Sequence, residues 1–558
     1  MAQEPTWRER EAAAQPRGVI LDPRADAVAG IRAFPTVYMP GYLLIAGDPA
    51  DALKRLEEAA AAFGWTVVAV TIRANRYADR RATRSTELTR AEIVQDPTTA
   101  PDVPIDAWRL LQQARRESRR QKPDGEAVRA VEPPDERERG HGRRLALRAA
   151  ARVAADDPLR AVGLDHVLSV DAIGVNPFAR TNPFARTNPF ARTNPAADLE
   201  SYASAGSGGL EVVTYVGTAP APQHTPDEKG RRPVVVVVDT GCGDHPWLLP
   251  DDDSGRPWVT ARLPSPTPPQ VIGVDEEDTD PEIHPDQTGP RDGRLDSSSG
   301  HGTFVCGVVR QTAPDANIIA ARVADSDGTV LESELMAALD EFLELMDDKE
   351  HPLEVDVVNL SLGYYHETPE DGRFSTGLYD ILVDLRTRGV VVVCSAGNDA
   401  TDRPAFPAAL WEGSDPALGL GPEPAGLAPH LSVGALNPNR RSVALFSNIG
   451  SWVRLYAPGT SVLSTIPASF EGGLAPAARD DLLGLPRMMV DADDFWGGFA
   501  IWSGTSFSAP YVAGHLAQGL AGQLASGGGR AALTVDDALS SLAAPELSVW
   551  DASRPPVG

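Results

Sequence analysis

Two apolar textures divide the chain. In its N-terminal third, "GYLLIAG" (41–47) and "WTVVAVTI" (65–72) read as strands on either side of "DPADALKRLEEAAAAFG" (48–64). That middle piece carries helix signals: Asp48 as N-cap, an Ala/Leu/Glu-rich body and Gly64 at its end. Residues 73–160 are polar and Arg-rich, with helices expected near 105–120 and 143–155, and "VGLDHVLSV" (162–170) returns to strand. From Arg231 onward the pattern changes. "RPVVVVVDTG" (232–241) is a continuous apolar run ending in a turn, as a strand buried on both faces requires. Runs of the same kind follow at 316–324, 355–363, 389–398 and 430–436, separated by helical patterns such as "LESELMAALDEFLELMDD" (331–348). The alternation predicts an α/β fold with a doubly wound, mostly parallel sheet, preceded by a smaller N-terminal α+β domain.

The expected division is a tail (1–30), the small α+β domain (31–170), a linker (171–230), the large α/β domain (231–550) and a C-terminal tail (551–558). The linker holds "NPFART" three times, from Asn176 to Thr193. Each proline removes an amide donor and biases the preceding Asn away from helix, so an extended or turn-rich segment is expected. A docking or cleavage element displaying Phe178, Phe184 and Phe190 is the sharper reading.

Composition narrows the function. Residues 1–230 carry 31 Lys+Arg and 31 Asp+Glu, so the formal charge of −27 resides wholly in residues 231–558. Such a surface repels phosphate backbones, so no nucleic-acid partner is expected. No run approaches 18 apolar residues, and the first residues are charged where a secretion signal needs an apolar core. The cysteines are sparse and odd in number: Cys242, Cys306 and Cys394. A cytoplasmic protein without disulfides or membrane contact is the expectation.

Four positions carry candidate chemistry. Asp239 closes the five-valine strand, at the end where an open α/β sheet places its site. The "DTG" it begins also occurs in aspartic peptidases, but a second strand-borne Asp of that kind is lacking. His301, in "SSGHGTFVCGVV", lies between two glycines at a helix start. Asn398 ends "VVVVCSAGN" and either caps a loop or offers its NH2 to an oxyanion. Ser506, in "GTSFSAPYVAG" (504–514), sits at a helix N-terminus whose N–H groups favour developing negative charge. Pro510 is expected in the first helical turn, where its missing amide proton breaks no bond. A serine hydroxyl needs a base, which His301 can be, and Asp239 can orient that imidazole. Thr505 and Ser508 are expected to be cap and packing hydroxyls.

The stretches "VVDTG", "GHGTFVCG", "NLSLG", "SAGN" and "GTSFSAPYVAG" resemble the subtilisin-like serine peptidases, the subtilases, over about residues 231–545. The resemblance implies Asp239, His301 and Ser506 as a triad and Asn398 as oxyanion donor. It implies that Ser361, Leu362 and Gly363 pair with an extended peptide or protein substrate, and that the N-terminal domain is an intramolecular inhibitory propeptide. His301 argues against the related sedolisins, in which an acid replaces the base. The implied function is a serine endopeptidase; the rival is a silent peptide-binding scaffold on the same fold. Two inserts, about 248–296 and 466–497, depart from compact family members. The acidic run 275–286 offers oxygen ligands of the kind calcium takes, at a spacing that matches no calcium loop. A solvated acidic loop is expected there, with no metal and no cofactor assigned.

Overall fold

A computed structural model describes residues 18–24, 33–73, 88–98, 103–121, 158–170, 210–249, 257–263, 270–289, 293–368, 377–414, 418, 420, 422–529, 534–542 and 549–551. The NPFART repeats and the helix expected near 143–155 lie outside these residues.

The N-terminal part contains strand β1 (Val37–Ala46), helix α1 (Ala50–Ala60), strands β2 (Trp65–Arg73) and β3 (Leu88–Gln95), helix α2 (Ala107–Gln121) and strand β4 (Val162–Val170). The strands pair antiparallel in the order β4–β1–β3–β2. Leu43, Ile45, Leu56, Trp65, Trp108, Leu111 and Leu164 form one core between sheet and helices. Strand β3 was not anticipated from the sequence. Its "LTRAEIVQ" buries Leu88, Thr89, Ala91 and Ile93, but Arg90 and Glu92 interrupt the apolar run and hide it in a polar surrounding.

The larger part begins with β5 (Val234–Asp239), then α3 (His301–Thr312), β6 (Asn317–Arg322), β7 (Thr329–Leu331), α4 (Glu332–Met346), β8 (Val357–Leu360) and β9 (Leu362–Gly363). It continues through α5 (Gly377–Thr387), β10 (Val391–Ser395), β11 (His430–Leu436), β12 (Leu455–Pro458) and α6 (Thr505–Ala525). Strands β12–β11–β10–β8–β5–β6 form a parallel sheet in that order. Every residue of β8, β10 and β11 is buried, as near-continuous apolar strands covered on both faces must be. From β5 the chain goes first to β6 on one side and later to β8 on the other. The order therefore reverses beside β5, where the carboxyl ends of open α/β strands bind ligands.

β4 belongs to both parts. Its first half pairs with β1, and its second half lies antiparallel to β7 (Val167 opposite Leu331) and to β9 (Val170 opposite Leu362, Ser169 opposite Gly363). A strand with neighbours on both edges satisfies its backbone groups there, so the slot between β7 and β9 is closed by the chain itself.

Two inserts frame this sheet. Residues 479–488 form a hairpin whose two strands are wholly exposed. The loop 275–286 departs from the expectation of a solvated acidic run: Glu282 is only 1% exposed.

Candidate active site

Asp239 ends β5 and is fully buried. Its Oδ1 accepts the Thr240 N–H at 2.8 Å and lies 2.7 Å from His301 Nδ1. A carboxylate can only accept, so Nδ1 carries the proton and Nε2 presents its lone pair. His301 is the first residue of α3. Its place depends on glycine: Gly300 has φ +81°, and a Cβ on Gly302 would stand 2.1 Å from the Gly241 carbonyl oxygen, so α3 starts hard against the end of β5. The imidazole is walled by Trp502 and Phe507, whose ring centroids lie 5.5 and 5.4 Å away. Its Nε2 is buried and has no hydrogen-bond partner among the described residues.

Behind this pair lies Glu282, which the sequence did not single out. Thr240 Oγ1 donates to its Oε1 and Thr303 Oγ1 to its Oε2, both at 2.5 Å, and the Gly302 N–H reaches Oε1 at 3.1 Å. Thr240 Oγ1 also accepts the Gly302 N–H at 2.8 Å, while Thr303 Oγ1 accepts the Gly243 N–H at 2.7 Å. Residues after Asp239 and residues after His301 are thus tied to one carboxylate. Burial pushes Glu282 up to about 7, opposed by the two threonine hydroxyls and assisted by the charges of Asp280 and Asp239. The acidic composition of the loop concealed this residue; only its place after the short turn 277–279 separates it from solvated neighbours.

Ser506 is the second residue of α6 and is fully buried. Because α6 begins at Thr505, Pro510 falls in its second turn, not in the first as expected. Its missing N–H would have bonded to the Ser506 carbonyl. That carbonyl instead accepts a hydrogen bond from Ser361 Oγ at 2.9 Å. Ser506 Oγ in turn donates to the Ser361 carbonyl at 3.3 Å. The Ser506 hydroxyl therefore points to the strand edge that begins with Ser361, and Phe507, next in chain, packs on His301.

Asn398 follows β10. Its Oδ1 accepts both the Thr505 N–H and Thr505 Oγ1 at 3.0 Å, which anchors the amide to the start of α6 through its oxygen. Thr505 Oγ1 also accepts the Gly397 N–H at 3.1 Å. Thr505 is consequently no helix cap; it orients Asn398. Ser508 Oγ donates to the Ala457 carbonyl at 3.1 Å. Asp239, His301, Asn398 and Ser506 thus gather at the carboxyl ends of β5 and β10 and the starts of α3 and α6. Ser361, Leu362 and Gly363 form the adjoining edge, occupied by β4. Cys306 and Cys394 are buried thiols, the latter 3.8 Å from His430 Nε2, and Cys242 is half-buried.

The model of the subtilase family matches residues 230–531. The chain belongs to the subtilase family. This subtilase is 27% identical over 322 residues to an intracellular serine protease of Paenibacillus polymyxa, covering 55% of this chain and 72% of the relative. It is 25% identical over 305 residues to the major intracellular serine protease of Bacillus subtilis, covering 52% and 68%. To the subtilase-type proteinase psp3 of Schizosaccharomyces pombe it is 30% identical over 223 residues, covering 39% of this chain and 38% of that protein. The subtilase is a serine endopeptidase, a hydrolase whose substrate class is peptide or protein. Among its described residues no helix is long and apolar enough to cross a membrane.

Proposed function

We propose that Asp239, His301 and Ser506 are the catalytic triad of this subtilase, that Asn398 donates to the oxyanion, and that the N-terminal part holds the enzyme silent by filling the substrate slot with β4. The observation that carries the reading is the buried Asp239–His301 pair at 2.7 Å, whose Nε2 has no hydrogen-bond partner among the described residues and whose ring packs on Phe507, next in chain to Ser506.

In this mechanism the Ser506 proton leaves the Ser361 carbonyl and passes to His301 Nε2 as Oγ bonds to the substrate carbonyl carbon. The charge on the carbonyl oxygen is met by the Asn398 NH2 and the Ser506 backbone N–H. His301 then returns the proton to the leaving amine, the C–N bond breaks and an ester on Ser506 remains. Water, deprotonated by the same nitrogen, hydrolyses the ester. Side chains and water suffice for these steps. A substrate strand would pair with Leu362 and Gly363 as β4 does, by strand addition. An intracellular setting belongs to the same reading, supported by the two bacterial relatives named as intracellular.

Profiling cleavage of a peptide library with the full chain and with Ser506→Ala tests the chemistry. Turnover should fall by roughly 10⁶-fold in the variant; equal cleavage by both chains ends the reading. Incubating the purified chain and sequencing new N-termini tests the N-terminal part. New termini beyond Val170 accompanied by rising activity support it, and an intact chain with full activity counts against it.

A further inference from the structure

Backbone pairing is enough to seat β4 in its slot, yet one of its side chains is held by far stronger contacts. His166 lies three residues before Ser169, the residue opposite Gly363. Its ring is fully buried, with Nδ1 2.6 Å from Glu332 Oε2 and Nε2 2.8 Å from Glu367 Oε2. A neutral imidazole has a single N–H, so a ring with a carboxylate on each nitrogen is an imidazolium. Glu332 opens α4 and Glu367 lies four residues beyond Gly363, both in the larger part of the chain. A cation from the N-terminal part is thus clamped by two anions from the other.

The clamp is built into the slot. Tyr364 Oη donates to Glu332 Oε1 at 2.8 Å, which holds that carboxylate at the strand edge. One residue before His166, Asp165 accepts the Ser333 N–H at 3.1 Å and Ser333 Oγ at 2.8 Å, so the first turn of α4 reads two successive side chains of β4. Glu367, although fully buried, keeps Oε1 without a hydrogen-bond partner among the described residues. The imidazolium has spent both of its N–H groups and cannot supply a third. A guanidinium brings five donors in a planar fork, enough for Glu332 and for both oxygens of Glu367.

We infer that Glu332 and Glu367 form a cation subsite of the substrate cleft, filled by His166 in the blocked state and selecting arginine four residues before the substrate residue that faces Leu362. The inference rests on the peptidase reading above. When β4 leaves, Glu332 and Glu367 lose the imidazolium between them, while His366 and Arg403 stay beside Glu367, and an incoming cationic side chain restores the lost charge pairing.

The test uses the full chain, incubated until cleavage beyond Val170 and rising activity show that β4 has left the slot, and internally quenched peptides copying residues 162–176, with Arg, Ala or Glu in place of His166. The Arg peptide should be cut with a kcat/KM about 10-fold above the Ala peptide and about 100-fold above the Glu peptide, since charge-assisted pairing favours the first and like-charge contact rejects the last. Glu332→Gln combined with Glu367→Gln should collapse the Arg-to-Glu ratio toward one. Equal rates for all three peptides on the unaltered chain, which needs no folded variant, overturn the subsite and leave the peptidase reading standing. If no peptide is cut and a fluorophosphonate leaves Ser506 unlabelled, the peptidase reading has failed instead. Fluorescence anisotropy with the same peptides at about pH 10, where the His166 contribution to β4 docking is lost, then decides the subsite: about 10-fold tighter binding of the Arg peptide supports it and equal binding overturns it. His166, His366 and Glu367 also offer ligand atoms within 4.8 Å of one another. Stoichiometric Zn²⁺ binding that tightens the N-terminal part and is reversed by a chelator, with no Arg preference, assigns the pocket to a metal and overturns the subsite.

Discussion

Ser361 and Ser506 hold each other through reciprocal hydrogen bonds, Oγ of the first to the carbonyl of the second at 2.9 Å and the reverse at 3.3 Å. The contact joins the substrate edge to the nucleophile, and Pro510 makes it necessary by withholding the helical donor. Asn359 Nδ2 donates to the same Ser361 Oγ at 2.9 Å and sets its direction. Ser361→Ala leaves the Ser506 carbonyl buried without a donor, a loss of about 1–3 kcal/mol. A lowered midpoint of thermal unfolding with turnover reduced about 10-fold is expected; an unchanged midpoint would show that the carbonyl has another donor.

Asn398 has two separable jobs, anchoring and donating. Asn398→Asp keeps the acceptor for Thr505 but loses the NH2. Folding should survive, and kcat should fall by about 10²–10³ with little change in KM. A kcat within 2-fold of the unaltered chain, by roughly the error of such assays, would remove Asn398 from the oxyanion site.

Glu282 anchors the turns on either side of the Asp239–His301 pair. Glu282→Ala strands two threonine hydroxyls and loosens the start of α3, so kcat should drop about 10- to 100-fold. Glu282→Gln, which can still accept from Thr240 and donate to Thr303, should restore most of it. The sign with pH follows from burial: a carboxyl raised to about 7 when folded, against about 4.3 when unfolded, makes the folded state prefer the protonated form. Its contribution to stability is therefore greatest below about pH 4.3 and declines until about pH 7. Chemical denaturation between these limits should reveal a slope that Glu282→Gln removes.

The strand patterns of β1, β2, β4, β5, β6, β8, β10 and β11 were legible as apolar runs bounded by turn residues, whereas the four-residue β12 was too short to stand out. The positions of Asp239, His301, Asn398 and Ser506 at element ends followed from the same runs. Glu282 and Glu332 were not legible, since an inward carboxylate in an acidic loop or a Glu-rich helix looks like its solvated neighbours. Thr505 and Pro510 were misjudged for a geometric reason: α6 starts at Thr505, with Gly504 as its N-cap, which moves Pro510 one turn inward and frees the Thr505 hydroxyl for Asn398.

Docking of β4 should weaken as pH rises. Burial opposes the charge on His166, but Glu332 and Glu367 outweigh it and push it up to about 10. Burial pushes Asp165 up to about 7 against its bonds from Ser333. Released, these groups return to about 6.5 and about 3.9. The histidine contribution is complete below about pH 6.5 and lost as pH rises through 10, while the Asp165 penalty grows from about pH 4 to 7; both loosen the strand in base. Glu367 acts only in acid: burial disfavours its charge, yet His366, His166 and Arg115 hold it below the usual carboxylate range. Fluorophosphonate labelling of Ser506, taken relative to a His166→Ala chain, should accelerate by about 10-fold or more between pH 6.5 and 10. A flat ratio would disconnect His166 from the block.

The central claim is that Ser506 is the nucleophile activated by His301. Its most direct test is mass spectrometry of the full chain after fluorophosphonate treatment, alongside Ser506→Ala and His301→Ala. A single adduct on Ser506, absent from the first variant and strongly slowed in the second, is the predicted result. Peptide cleavage that persists undiminished in Ser506→Ala, or an inactivating adduct on a different residue, would contradict it.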